Sequence, residues 1–256
     1  MLTFADRMHK GETIYTLWSQ VGSPQLVAQF ALSDFDGIVI DMQHGVHSDD
    51  TVVTSGEAII AADKIAIVRL PVDRFDAASR ALDLGYEAVI APMINTKQDA
   101  QTFAKFMKYP PIGERSWGPG RAVQQHKVKS ADYLQIANQQ TLAFAMIETR
   151  KAYENFDEII STDGIDGIFV GPSDLSIDFA NGAGVDPNMP ETQQPMKDMA
   201  IRAKQHGKFA GIFARNPEDA PRYTSWGYQF VNVSYDGALL ADGCQSYLER
   251  AEISKK

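Results

Sequence analysis

The chain has one cysteine, Cys244, in 256 residues, so no disulfide can close within it and its stability must come from packing. It also lacks any run of the roughly 18 apolar residues needed to cross a bilayer. Its opening, Met1-Leu2-Thr3-Phe4-Ala5-Asp6-Arg7, has no long apolar stretch of the kind that marks a secretory leader, so a cytoplasmic location is expected. Positive charge is scarce: 24 Lys and Arg against 33 Asp and Glu leave a net −9, which removes the long-range attraction that nucleic acid or an anionic membrane would require. Neither a G-x-G-x-x-G turn nor a G-x-x-x-x-G-K-[ST] loop follows the first apolar run, which argues against a nucleotide-binding sheet. No low-complexity linker interrupts the chain, and residues 1–256 are expected to form one domain that acts on small molecules.

Against these absences stands a regular alternation. Short apolar runs recur at Ile14 to Trp18, Gly37 to Met42, Ile65 to Leu70, Ala88 to Ile94, Leu142 to Glu148, Gly167 to Val170, Phe209 to Ala214 and Phe230 to Ser234. Between them lie segments of helical period, such as Phe75, Ala78 and Leu82, or Met196, Met199, Ala200 and Ala203. Continuous apolar strands separated by amphipathic helices imply a parallel sheet buried on both faces. Eight such units, in a chain near the roughly 250 residues typical of the fold, predict an α/β protein closed into a single (β/α)8 TIM barrel, with an open doubly wound sheet as the structural alternative.

Parallel barrels carry their chemistry where the strands end. Here those ends read Asp41-Met42-Gln43-His44-Gly45, Val68-Arg69-Leu70-Pro71, Ile147-Glu148-Thr149-Arg150 and Gly171-Pro172-Ser173-Asp174. Glu148 and Asp174, on neighbouring strands, are candidate oxygen ligands for a hard divalent cation, whose shell substrate and water would complete. The alternatives are that Glu148 pairs with an arginine and that Asp174 caps a helix. Arg69 follows a buried strand and needs an anionic partner, either the substrate or a carboxylate such as Asp41 or Glu148. His44, three residues after Asp41, is the acid/base candidate, with Asp41 orienting it. His47 reads as a helix-entry residue without a chemical role. Phe213 should line the aldehyde side of the pocket by strand alternation, with core packing as the alternative. The irregular stretch from Pro110 to Arg121 is either a lid over the rim or a loop between subunits. A Schiff-base enzyme would need a desolvated lysine facing the site, whereas Lys64 and Lys208 precede their strands.

Taken together, Ile40-Asp41-Met42-Gln43-His44-Gly45, Val68-Arg69-Leu70-Pro71, Tyr109-Pro110-Pro111-Ile112-Gly113-Glu114-Arg115, Ile147-Glu148-Thr149 and Gly167 through Ser176 resemble the HpcH/HpaI aldolase family over most of the chain. The resemblance is to its class II pyruvate aldolases. It implies Glu148 and Asp174 as ligands of Mg²⁺ or Mn²⁺, with Co²⁺ also accommodated, Arg69 as the group that stabilises an enolate, and Asp41 with His44 as the acid/base dyad. It further implies that, in the substrate-binding turn Gly171, Pro172, Ser173 and Asp174, the backbone amides of Ser173 and Asp174 hold the carboxylate of a 2-oxo acid, and that Asp83 reaches a neighbouring subunit's site. A homo-hexamer with an exchanged C-terminal helix is expected. The implied reaction is reversible cleavage of a 4-hydroxy-2-oxo acid into an aldehyde and pyruvate or hydroxypyruvate. A CoA-ester lyase of the citrate-lyase β type and a non-catalytic oxo-acid-binding protein are the alternatives. Met146 departs from the glutamine that related aldolases often carry two residues before the metal-binding glutamate.

Overall fold

A computed structural model describes residues 2–251. The eight expected strands are present: β1 Ile14–Ser19, β2 Gly37–Asp41, β3 Ile65–Arg69, β4 Ala88–Ala91, β5 Leu142–Ile147, β6 Gly167–Val170, β7 Phe209–Phe213 and β8 Phe230–Tyr235. Every neighbouring pair is parallel and β8 closes on β1, giving a closed barrel in sequence order. The open-sheet alternative is excluded. Among the described residues no helix is long and apolar enough to cross a membrane.

Strand alternation divides the core in two. Residues pointing outward, such as Ile38, Ile40, Ala66, Val68, Ile168 and Ile212, pack under the helices. Those pointing inward, including Trp18, Val39, Ile67, Ile90, Phe144, Met146, Phe169 and Phe230, fill the barrel. The interior is aromatic because strand glycines leave room: a Cβ on Gly211 would lie 2.6 Å from the Phe169 ring, and one on Gly167 would lie 2.8 Å from that of Phe144. The helix Phe4–His9 plugs the lower end, opposite the strand C-termini, with Phe4 5.4 Å edge-on to Phe230 and 6.1 Å from Phe144. Thr3 starts that helix with a capping box shared with Asp6.

Glu87, just before β4, accepts the Phe4 amide at 2.6 Å. A cavity of about 710 Å³ opens beside it, bordered by Arg7, Asp36, Lys64, Glu87 and Lys127. On its wall Arg7 pairs with both Glu12 and Asp36 at 2.7 Å. Burial pushes the Glu87 carboxyl up to about 7. A carboxyl raised in this way contributes stability that is complete below its ordinary range and is lost as pH rises through about 7. Glu87→Gln keeps a neutral acceptor for Phe4 and removes that loss. Its melting temperature should match the parent near pH 4.5 and exceed it by about 2–4 °C near pH 8, as roughly 1 kcal/mol gives in a chain this long. Equal melting curves at both pH values would remove Glu87 as the cause of any alkaline loss.

Candidate active site

Asp41 and Arg69 end adjacent strands and face each other in register. The two side chains are almost wholly buried, and they form a bidentate pair, with Arg69 Nε donating to Asp41 Oδ1 at 2.9 Å and Nη2 to Oδ2 at 2.6 Å. The Arg69 guanidinium also lies 4.9 Å from the Trp18 ring. Burial drives the Asp41 carboxyl upward, but hydrogen bonds and charge from Arg69, with help from Gln20 and Trp18, outweigh it and hold the group at about 2. Of the two partners left open for Arg69 among the carboxylates, the bidentate one is Asp41.

The dyad takes a different form from the one expected. Asp41 Oδ1 accepts the backbone amides of Gln43 at 3.0 Å and His44 at 3.3 Å, not the imidazole. His44 is exposed, and its ring makes no hydrogen bond among the described residues. The reason is stoichiometric: the Asp41 oxygens are already filled by two guanidinium N–H groups, two loop amides and the Gln20 side chain. Asp41 therefore shapes the loop that presents His44 and leaves the ring free.

Glu148 follows β5, and 1% of its surface is exposed. Its Oε2 accepts the Met93 amide at 2.9 Å. Gly171, after β6, has no Cβ to obstruct it: one there would lie 2.8 Å from Glu148 Oε1 and 2.9 Å from the Met146 methyl. Met146 thus supplies an apolar surface close to the carboxylate. Burial raises the Glu148 carboxyl to about 7, and the charge and hydrogen bonding of nearby Asp174 push it the same way. Two carboxylates held this close favour either a shared proton or a cation between them. Among the described residues no group of three or more His, Cys, Asp or Glu gathers, so the donor set here is two anionic oxygens. That chemistry suits a hard, exchangeable divalent ion and not a closed zinc site.

Asp174 sits in the first turn of the helix Pro172–Phe179, which Gly171 begins. The amides of Ser173 and Asp174 belong to the first turn of that helix and have no intrahelical acceptor. Asp174 does not cap this helix through its side chain. Phe213 is half-buried at the mouth, edge-on to Trp18 at 5.3 Å. Tyr235, the β8 residue paired with Trp18, joins the same interior cluster.

Asp83 ends the helix Asp76–Asp83, which follows β3 and returns toward the lower end of the barrel. There it pairs with Arg115 at 2.6 Å and makes no contact with Asp41, Arg69, Glu148 or Asp174 among the described polar contacts. Arg115 in turn lies 4.5 Å from the Tyr109 ring, so the stretch that follows Tyr109 is pinned to the barrel wall, and Gly120–His126 within it is helical. Among the described residues the desolvated lysine is Lys108, which no sequence motif marks. Its ammonium is saturated by Asp166 at 2.7 Å and the carbonyls of Asn138 and Thr141, and burial lowers its pKa. Lys208 donates to the Ile165 carbonyl before β6. Neither amine reaches the strand C-termini.

Other rim residues gave no motif. Ser19, Gln20 and Asp236 connect the ends of β1 and β8, and the signal for Asp236 was its place directly after a strand that extends one residue beyond the Ser234 assigned from sequence.

The chain is similar to known proteins over nearly its whole length. The family model described as HpcH/HpaI aldolase/citrate lyase matches residues 15–243. A 4-hydroxy-2-oxo-heptane-1,7-dioate aldolase of Klebsiella pneumoniae is 32% identical over 96% of this chain and 92% of its own. A hydroxypyruvate/pyruvate aldolase of Rhizorhabdus wittichii is 34% identical, covering 95% and 96% respectively. The crystal structure of a protein of the same family from Burkholderia cenocepacia, 28% identical, superposes over 98% of this chain and all of that one with a TM-score of 0.87.

Proposed function

The chain belongs to the HpcH/HpaI aldolase/citrate lyase family, and from that premise we propose that it is a class II aldolase, reversibly cleaving 4-hydroxy-2-oxo acids to an aldehyde and pyruvate or hydroxypyruvate. The observation that carries the reading is the Glu148 and Asp174 carboxylate pair with the Arg69 guanidinium close enough to act on its charge.

Glu148 and Asp174 would hold Mg²⁺ or Mn²⁺, which when bound supplies Lewis-acid polarisation of the 2-oxo group. The first-turn amides of Ser173 and Asp174 suit the substrate carboxylate, as helix N-termini suit anions. Arg69 uses two of its five N–H groups on Asp41, so its plane is fixed while the rest remain to meet the oxyanion that grows as the carbon–carbon bond breaks. Because the guanidinium is buried and locked before substrate arrives, little reorganisation is required in the transition state. His44, exposed on the rim, would take the C4 hydroxyl proton in cleavage and return it in condensation. Trp18, Phe213 and Tyr235 form an aromatic wall suited to the aldehyde portion.

Asp83 lies at the wrong end of its own barrel, so any role at a rim must be played in a neighbouring subunit. An exposed C-terminal helix, Asp236–Arg250, with 70% of Tyr247 and 44% of Leu240 in solvent, supports exchange of that helix within a homo-hexamer.

The test is carboligation of pyruvate and of hydroxypyruvate with a panel of aldehydes, alongside acyl-CoA thioesters. New hydroxy-oxo acids are expected with Mg²⁺ or Mn²⁺ present; turnover of thioesters alone would assign a CoA-ester lyase, and binding of oxo acid without any turnover a binding protein. In the same panel Phe213→Ala should change the ranking of aldehydes by about 10-fold, the scale of a few lost methylene contacts, with pyruvate KM little altered. A uniform loss across all aldehydes, accompanied by a lower melting temperature, would make Phe213 a packing residue only.

A further inference from the structure

A second polar cluster occupies the rim and is not used in the reaction as drawn. Ser19 ends β1, Asp236 follows β8 and His47 lies beyond β2; all three are buried. Asp236 Oδ2 accepts the Ser19 hydroxyl at 3.1 Å and the Gln20 and Val21 amides at 2.9 and 2.8 Å, while Oδ1 accepts the Gly237 amide. Gln20 then donates its Nε2 to Asp41 Oδ2 at 3.1 Å, and its carbonyl accepts the Val46 amide at 2.8 Å. Asp41 holds Arg69.

The protons of this chain can be assigned. Every neighbour of Asp236 is a donor, so the single hydroxyl proton of Ser19 goes to the carboxylate. Ser19 Oγ has only lone pairs left for His47 Nε2, 3.1 Å away, and that nitrogen must carry hydrogen. His47 Nδ1 is then a bare acceptor, buried and without a hydrogen-bond partner among the described residues. Burial holds the imidazole below its ordinary pKa against the pull of Asp236 and Asp41, which favours the neutral form. An unsatisfied buried acceptor is costly, so packing alone would favour an apolar residue at this position. The loops also touch without slack: a Cβ on Gly45 would lie 2.3 Å from the Asp41 carbonyl oxygen and 2.9 Å from Gln20 Cα.

We propose that His47, Ser19, Asp236 and Gln20 form a hydrogen-bonded brace that fixes Asp41, and through it the angle of Arg69, making His47 and Gln20 positioning residues for the aldol reaction. The proposal rests on Arg69 acting at the enolate. In the metal-loaded enzyme, His47→Leu and Gln20→Ala should each lower kcat about 10-fold while KM for pyruvate stays within about twofold, the pattern of a contribution realised in the transition state. His47→Gln, which retains an N–H near the Ser19 hydroxyl, should recover most of the loss. Ser19→Ala combined with His47→Leu should be no worse than Ser19→Ala alone, because both cut the same connection. Nitrogen-15 shifts of the His47 ring in the unmodified enzyme should report the Nε2–H tautomer, a readout independent of turnover. Full kcat in both His47→Leu and Gln20→Ala, or an Nδ1–H tautomer, overturns the brace while leaving the Arg69 assignment standing. If Arg69→Met keeps full turnover, the assignment on which the brace depends falls with it.

Discussion

Asp41→Ala should destabilise the protein by about 3–5 kcal/mol and abolish measurable turnover, because it leaves the buried Arg69 cation without its partner. The effect should be asymmetric. Asp41→Leu combined with Arg69→Met removes both charges and should recover much of the stability, since apolar replacements of a buried pair are often neutral, yet it should recover no activity. The pH dependence follows from the depressed Asp41 carboxyl. Burial alone would raise it, but Arg69 holds it at about 2, so its contribution is complete above the ordinary value of 3.8 and is lost as pH falls through about 2. That interval corresponds to about 2 kcal/mol, which acid unfolding of the parent should show and the double variant should lack. Equal acid stability of the two proteins would mean that the pair is solvated in solution. Normal turnover in the double variant would remove Arg69 from the chemistry.

Exhaustive chelation should reduce carboligation to under about 1% while leaving the circular dichroism spectrum and the barrel intact, because a Lewis acid lost from the reaction removes several kcal/mol of transition-state stabilisation and no part of the core. Mg²⁺ or Mn²⁺ should restore it. Glu148→Gln and Asp174→Asn should each weaken ion binding and rescue by an order of magnitude or more, since each leaves one anion of the two. Without the ion, burial and Asp174 keep the Glu148 carboxyl near 7, so a proton competes for the same oxygens. Ion affinity should therefore rise with pH up to about 7 and level off above it, a profile that calorimetric titration would record. Full turnover in protein shown by elemental analysis to be free of metal would exclude this chemistry. With Lys108 saturated at the lower end, no described lysine stands ready to replace it.

The barrel and the rim carboxylates were legible because both depend on local regularities. Eight apolar runs mark eight strands, and the residues at or just beyond the C-terminal end of each appear at the mouth; Asp41, Arg69, Glu148 and Asp174 are legible on that ground. What each of them touches was not legible. Asp41 stands three residues from His44 in the chain, but its carboxylate belongs to Arg69 and Gln20, brought in by β3 and β1. The link from Ser19 to Asp236 spans 217 positions and leaves no periodic trace. His47 does enter the helix that Ser48 caps, but its burial beside Ser19 and Asp236 comes from the ends of β1 and β8, which the local sequence does not show. Lys108 escaped for the same reason: the carbonyls that saturate its ammonium come from Asn138 and Thr141.

The aromatic plug at the lower end has a bearing on how the chain assembles. The helix Phe4–His9 precedes all eight strands in the chain, yet Phe4 rests on Phe144 and Phe230, and the latter opens β8. Its apolar face has no place to dock until β8 has been made and paired with β1. A segment made before every strand is thus among the last to reach its final environment, and the long sequence separation of these contacts makes closure and plugging slow, late steps. During that interval Phe4, Ala5 and Met8 remain uncovered, and this helix is where protection from aggregation is needed while the protein is being made.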